Sequence, residues 1–366
     1  MGVNINIGDN WKDLRELKIN IGDVWKTVED IKINIGDTWK DVYTFTPWSL
    51  TYVETEDDGG VYQGVTSNDD YIFVATGLNG LVNYTCDSDG ALTHVDTEHY
   101  FINGSYIDVH TENDFVFVTI QGSGVSRTVV ACYEYDENGI LNLLDEHITF
   151  GWTYKENITG DGNKLIFTCN FFGSFEYGFI QVLTYDVDGN ISELVNQQFD
   201  ERLYDIFHPT DAPILFSVGE DGLTSYSVNQ TTGALTVVDT GSVSGIFCAI
   251  NGNNDGLLYI MEDDDDGTGH AVIYSYDIDG NLTFEDNYEL DSISYCYDIA
   301  HTDEFLFFTD KYYVYCFRLD ENNDLVYEST TGPPPSVFDQ SCCPVFLDNV
   351  FVVSGLSGGM RSYTID

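Results

Sequence analysis

The sequence predicts an all-β chain: a seven-bladed β-propeller over residues 48–366, closed by a strand from its own start, behind a region of small β-hairpin repeats at residues 1–47. Three observations lead there. An outer-strand motif recurs at blade-sized intervals, a strongly apolar strand recurs seven times, and a shorter repeat is confined to the start of the chain.

The short repeat comes first. NINIGDNWKDLRELK, INIGDVWKTVEDIK and INIGDTWKDVYTF place Trp11, Trp25 and Trp39 at intervals of 14 residues. Each unit reads as an alternating strand, a Gly-Asp turn and a second strand through the Trp. A helix over WKDLRELK or WKTVEDIK is the competing assignment. A hairpin this small cannot bury its own apolar face, so the three tryptophans are candidate anchors against neighbouring repeats, other copies of the chain or a partner.

The long repeat follows. LTHVDTEH at Leu92, LNLLDEHI at Leu141, ISELVNQQ at Ile191, LTVVDTGS at Leu235, LTFEDNYE at Leu282 and LVYESTTG at Leu325 are spaced by 49, 50, 44, 47 and 43 residues, which suits four short strands per blade. Two positions before each anchor stands Gly90, Gly139, Gly189, Gly233, Gly280 or Asn323, residues that tolerate positive φ in a tight hairpin. Upstream lie YIFVAT, FVFVTI, LIFTC, ILFSV, LLYIM, FLFFT and VFVVS. Such near-continuous hydrophobicity fits strands covered on both faces. The last unit stops at Asp366 without an outer strand, while LTYVETED (50–57) matches LTHVDTEH but precedes the first complete unit. Pairing the two removes exposed sheet edges, and that bookkeeping gives the count of seven.

Composition limits the partners. The net charge is −49 over 366 residues; residues 1–48 carry 8 acidic and 6 basic residues, which leaves −47 on the remainder. Such a surface repels phosphate backbones and anionic headgroups, so neither nucleic acid nor a bare membrane is an expected partner. No run of eighteen apolar residues predicts a membrane span. MGVNINIG lacks the basic and apolar regions of a signal peptide, and the eight cysteines, without CxxC spacing, read as reduced small hydrophobes.

Two resemblances add to this reading. SYSVNQTTGALT, Ser225 to Thr236, resembles the repeat of lactonase-like, YVTN-type seven-bladed propellers, and the similarity runs over residues 49–366. Enzymes of that family hold an anionic substrate with His, Arg and Glu at the channel mouth. Here the propeller has only Arg127, Arg202, Arg318 and Arg361, of which Arg202 alone lies in a loop that could face the mouth, so the fold is expected without the activity. The INIGDxWK units resemble short repeats near the ends of tailed-phage structural proteins, which implies a virion protein assembled in the host cytoplasm.

Candidate sites were weighed against plainer roles. His110, His208 and His301 fall near the turn before the apolar strand, where a turn hydrogen bond is the simpler role. The Asp-x-Asp-Gly segments at Asp87, Asp186 and Asp277 read as blade hairpins, and the acidic loop from Glu262 to Gly267 is either a cation site or a solvated loop. Tyr62, Tyr106, Tyr154, Tyr204 and Tyr297 recur at the start of the innermost strands, followed by Asp108, Glu156, Asp205 and Asp298. They would ring one end of the channel as a stacking and hydrogen-bonding surface for a neutral sugar, unless the tyrosines pack between blades. No catalytic residue and no cofactor are expected. The resulting expectation is a virion structural protein present in multiple copies, attached to other virion proteins through residues 1–47. Its propeller would serve as an adhesin for a host-surface glycan or protein, or as decoration; the alternative is a lactonase-like enzyme.

Overall fold

A computed structural model of the chain describes residues 3–7, 10–14, 18–21, 24–27, 30–35, 38–44, 50–56, 63–68, 70–99, 104–122, 127–150, 156–162, 164–171, 177–210, 212–241, 246–263, 268–290, 296–302, 305–310, 313–320, 324–331, 341–347, 350–355 and 359–365. The chain divides into two compact units, Met1–Ser49 and Leu50–Asp366. The first contains three separate antiparallel hairpins, in which Trp11, Trp25 and Trp39 pair opposite Asn6, Asn20 and Asn34. The pairing of Asn10–Leu14 and Val24–Thr27 as strands replaces the helix that WKDLRELK and WKTVEDIK could have formed.

The second unit is a β-propeller. Six four-stranded antiparallel sheets of consecutive strands follow one another, and we number them as blades: one (64–98), two (104–150), three (156–199), four (203–241), five (246–290) and six (296–331). A further four-stranded sheet is composite, made of Ser341–Leu347, Val350–Gly355 and Gly359–Ile365 with Leu50–Glu56 paired against the last. The first strands of these sheets lie side by side in chain order. Ser341–Leu347 sits beside both Cys296–His301 and Gly64–Ser67.

The apolar repeat forms the second strand of each blade, and in blades one, four and six it is fully buried, as in Ile72–Ala75, Ile214–Gly219 and Phe305–Asp310. Its side chains build cores between sheets, not within them. Phe73 and Leu81 of blade one pack with Tyr106 and Val118 of blade two, and Val352 of the composite sheet packs against blade one. Each large apolar residue buried in this way contributes roughly 1.5–3 kcal/mol. Third and fourth strands are joined by tight turns in which Gly90, Gly139, Gly189, Gly233 and Gly280 have φ between 72° and 88°, a region closed to most L side chains. In those turns Asp87, Asp136, Asp186 and Asp277 accept backbone amides two and four residues on. The Asp-x-Asp-Gly segments are therefore turn clasps. Asn323 lies outside the described residues.

A second use of aspartate joins blade to blade. The fourth-strand Asp four residues after the apolar anchor accepts the amide of the next blade's anchor: Asp96 from Leu141 at 2.9 Å, Asp145 from Ile191 at 2.7 Å, Asp239 from Leu282 at 2.9 Å and Asp286 from Leu325 at 2.9 Å. Blade three has Val195 there, and Leu235 receives no such clip among the described contacts. Asp145→Ala and Asp286→Ala should each cost about 1–2 kcal/mol in urea unfolding, because each leaves a part-buried amide without its acceptor. Exposed Glu289→Ala should change stability by less than about 0.5 kcal/mol. Equal stability of all three variants would show the clips to be dispensable.

Candidate functional site

The innermost strands carry a β-bulge just before the same register position in blades two, four, five and six, and one pair further along in the composite sheet. In the six blades that position is occupied in chain order by Gly64, Asp108, Asn157, Asp205, Ala249 and Asp298. Even-numbered blades supply aspartate and the others a smaller or neutral residue. Gly64 leaves the room that Asp108 needs, since a Cβ there would lie 2.5 Å from its Oδ1 and 2.6 Å from its Cα.

These aspartates turn toward the following blade. Asp108 accepts the amides of Val109 and, across the blade boundary, Ile158; Asp205 accepts those of Ile206 and, across the boundary, Ile250, as well as the Asn157 side-chain amide. Asp298 accepts the amide of Ile299. Although Asp108 keeps a little solvent contact, burial of its carboxyl pushes its pKa well above the usual range. The amides of Ile158 and Val109 pull it down, while the carboxylates of Asp298 and Asp205 push it further up. Since blades two, four and six are not neighbours, that repulsion acts across the central axis.

The predicted tyrosine ring does not form as expected. Tyr106 is fully buried in the core between blades one and two, and its backbone pairs with Gly77. All three strands bulge at the same place, and Tyr106 stands one residue earlier in its strand: it shares register with Leu203 and Cys296, whereas Tyr204 and Tyr297 sit at the bulge residue itself, where blade two has Ile107. A one-residue offset turns a strand side chain to the other face. Tyr204 is half-buried and its hydroxyl donates to Glu220 at 3.4 Å; Arg202 also donates to Glu220, at 3.1 Å, so the one candidate mouth arginine has an acidic partner. Tyr297 and Glu156 lie in innermost strands, Cys296–His301 and Glu156–Gly160. Tyr62 and Tyr154 lie outside the described residues, as do residues 264–267 of the acidic loop. Among the described residues no three His, Cys, Asp or Glu side chains are arranged to hold a metal ion.

The three histidines are not equivalent. His208 and His301 share register, whereas His110 is one residue earlier in its strand and lies 3.4 Å from Glu112, which also accepts the Tyr185 hydroxyl at 2.5 Å. His208 stacks on Phe167 of blade three, centroids 4.7 Å apart, and its Nδ1 donates to the Pro209 carbonyl. That bond leaves Nε2 as a bare, buried lone pair.

A surface groove opens between blades five and six. It encloses about 650 Å³ and is walled by Asn253, Asp255, Tyr259 and Tyr276 of blade five and by His301, Thr302, Leu319 and Asp320 of blade six. At three other blade boundaries a third-strand tyrosine occupies the corresponding place, tilted against a phenylalanine of the preceding blade: Tyr135 against Phe73, Tyr185 against Phe117 and Tyr276 against Phe216, at 5.3, 4.9 and 4.8 Å. Leu319 holds that register in blade six. The groove exists where a tyrosine is replaced by a shorter side chain. Within it the Asn253 amide donates to the Tyr259 hydroxyl at 3.0 Å, Tyr276 donates to the Asn253 carbonyl at 2.6 Å, and His301 Nε2 donates to the Gly252 carbonyl at 2.7 Å.

Comparison with known proteins agrees with the fold. No family model and no curated protein sequence matches the chain. Among solved structures it is similar to virginiamycin B lyase from Staphylococcus aureus, with 14% identity over 87% of this chain and 100% of that one and a TM-score of 0.60. It is also similar to the WD40 β-propeller domain of Doa1, with 13% identity, coverage of 87% and 98% and a TM-score of 0.59. A candidate 6-phosphogluconolactonase from Bacteroides fragilis gives 17%, 84% and 95%, and 0.57. These similarities define the class of protein as a β-propeller; at such identities they carry the fold alone.

One pH effect follows from His208. Burial lowers its pKa to about 4, so as pH falls the unfolded chain takes up a proton before the folded one does. Its contribution to stability is complete above the unfolded value of about 6.5 and is lost as pH falls to about 4, a change of about 3 kcal/mol. His208→Phe should flatten the dependence of unfolding free energy on pH in that window relative to the parent chain. Identical slopes would show that the imidazole remains hydrated.

Proposed function

We propose that the chain is a virion structural protein whose propeller serves as a non-covalent recognition module for the host surface, with the Met1–Ser49 hairpins attaching it to other virion proteins. The observation that carries the non-catalytic part of this reading is the engagement of the channel carboxylates. Asp108 and Asp205 already accept amides from the next blade, so they hold the ring together where an enzyme of this shape would place its reacting groups. The virion part rests on the INIGDxWK repeats and the resemblance they carry. Assembly in the host cytoplasm and display in multiple copies follow from it, since several weak sites on one particle act together.

We read the propeller as a seven-bladed ring in which the composite sheet is the seventh blade and Leu50–Glu56 the closing strand. Val352 in the core of blade one supports this. Deleting residues 50–56 would expose a sheet edge along Gly359–Ile365 and should cost several kcal/mol of burial and pairing. An unchanged melting temperature would argue for an open ring.

A second reading, a propeller enzyme related to lyases or lactonases, is favoured by two of the structural neighbours and by the raised carboxyl of Asp108, which could act as a general acid. A charge of −47 on residues 49–366 and the pairing of Arg202 with Glu220 weigh against an anionic substrate. The two readings separate on two experiments. Particles made with Trp11→Ala, Trp25→Ala and Trp39→Ala together should lack the protein while the propeller still melts cooperatively; normal incorporation would remove the anchoring role. Turnover of a lactone by the intact chain that falls a hundredfold or more in Asp108→Asn would establish the enzyme instead.

A further inference from the structure

We propose that the groove between blades five and six binds a neutral pyranose residue. The inference rests on the reading of the propeller as a recognition module and specifies what it recognises.

The groove lies where blade six lacks a tyrosine that blades two, three and five carry at the same register. At those three boundaries Tyr135, Tyr185 and Tyr276 each lie tilted against a phenylalanine of the blade before. The boundary between blades three and four has Val228 at this register, and there His208 fills the space by lying against Phe167. Between blades five and six Leu319 holds this register, and His301, from the innermost strand, lies tilted by 57° against Tyr259 at 5.3 Å without filling the place of the missing tyrosine. A cleft of about 650 Å³ is left open, well within the range of small-molecule sites.

Its chemistry matches a sugar ring. A pyranose presents a C–H face that packs on aromatic and aliphatic surface and a rim of hydroxyls that both donate and accept. Leu257, Phe305, Leu306 and Leu319 supply apolar wall beside Tyr259 and Tyr276. Asn253, Ser275, Thr302 and the carboxylates of Asp255 and Asp320 supply acceptors and donors along the same cleft. Among the described residues no Lys or Arg lines it, and His301 donates its Nε2 proton to the Gly252 carbonyl. A phosphorylated or carboxylated sugar would lose its hydration against two carboxylates with no compensating charge. Asp255 is exposed at the rim, where it can accept from two neighbouring hydroxyls without disturbing the core.

The decisive variant is Leu319→Tyr, which restores the residue found at this register in blades two, three and five. The intact chain and the variant would be tested for saturation-transfer signals with methyl α- and β-pyranosides of glucose, galactose and mannose, and on an array of neutral, aminated, sialylated and phosphorylated glycans. Expected are signals from at least one neutral pyranoside, loss of affinity of tenfold or more in Leu319→Tyr with an equal or higher melting temperature, and a several-fold loss in Asp255→Ala. The Asp255 variant decides the matter should Leu319→Tyr fail to fold. The proposal is overturned by silence from all neutral sugars, by selective binding of aminated, sialylated or phosphorylated ones, or by variants that bind as the parent does. Host-cell attachment separates this from the broader reading. Attachment that persists in Leu319→Tyr removes the groove and keeps the adhesin, whereas sugar binding without attachment keeps the groove and removes the adhesin.

Discussion

The propeller depends on one interaction used twice: a carboxylate of one blade accepting a backbone amide of the next. At the rim Asp96, Asp145, Asp239 and Asp286 do this with the anchors of the following fourth strands, and at the axis Asp108 and Asp205 do it with Ile158 and Ile250. Each boundary buries apolar side chains without direction, because hydrophobic contact has no preferred angle. The aspartates supply the angle. They fix blade two to blade three and blade four to blade five at both the rim and the axis, and blade one to two and five to six at the rim, so that the apolar cores between these sheets pack in a single register.

The same residues explain part of the chain's acidity. A net charge of −49 would ordinarily read as surface chemistry alone, yet several of the aspartates have structural roles, clasping exposed hairpins at Asp87, Asp136, Asp186 and Asp277 or clipping blades together. The exposed turn aspartates at 136, 186 and 277 have pKa values held below the usual carboxylate value, mainly by hydrogen bonds from the asparagine side chain and amides of their own turns. They therefore favour the folded state at neutral pH and release that advantage only as pH falls through their lowered values. Asp108 is opposed to them, since its raised pKa means that its ionised form is tolerated in the fold and not favoured by it.

Much of the architecture was legible in the sequence because the repeat period, the anchors and the turn glycines are local signals. Ile72–Ala75 and Phe305–Asp310 could be recognised as strands covered on both faces from their composition alone. The channel was harder to read. Tyr106 stands two residues before Asp108, and Tyr204 and Tyr297 one before Asp205 and Asp298, but that the aspartates and not the tyrosines share register shows only in the strand pairing past the common bulge. The clips did leave one, an Asp four residues after the anchor in LTHVDTEH, LNLLDEHI, LTVVDTGS and LTFEDNYE, but their acceptor role becomes visible only once neighbouring blades are placed side by side. The groove also had a signal: Leu319 before an acidic turn where three other blades have Tyr. Reading it required knowing what the tyrosine fills.

The alternation at the axis has a further consequence for how such a ring can change. Gly64 and Asp108, Asn157 and Asp205, and Ala249 and Asp298 fall into three pairs, each a small or neutral residue followed by an aspartate. In the first pair a Cβ on Gly64 would meet the Asp108 carboxyl, and in the second the Asn157 amide donates to Asp205. Inserting or losing a single blade within this run would bring two carboxylates together at one boundary or leave two small residues without one. Losing blade three alone would set Asp108 beside Asp205 and remove the Asn157 amide that now donates to that carboxylate, whereas losing blades two and three together would leave a small residue, Gly64, before Asp205.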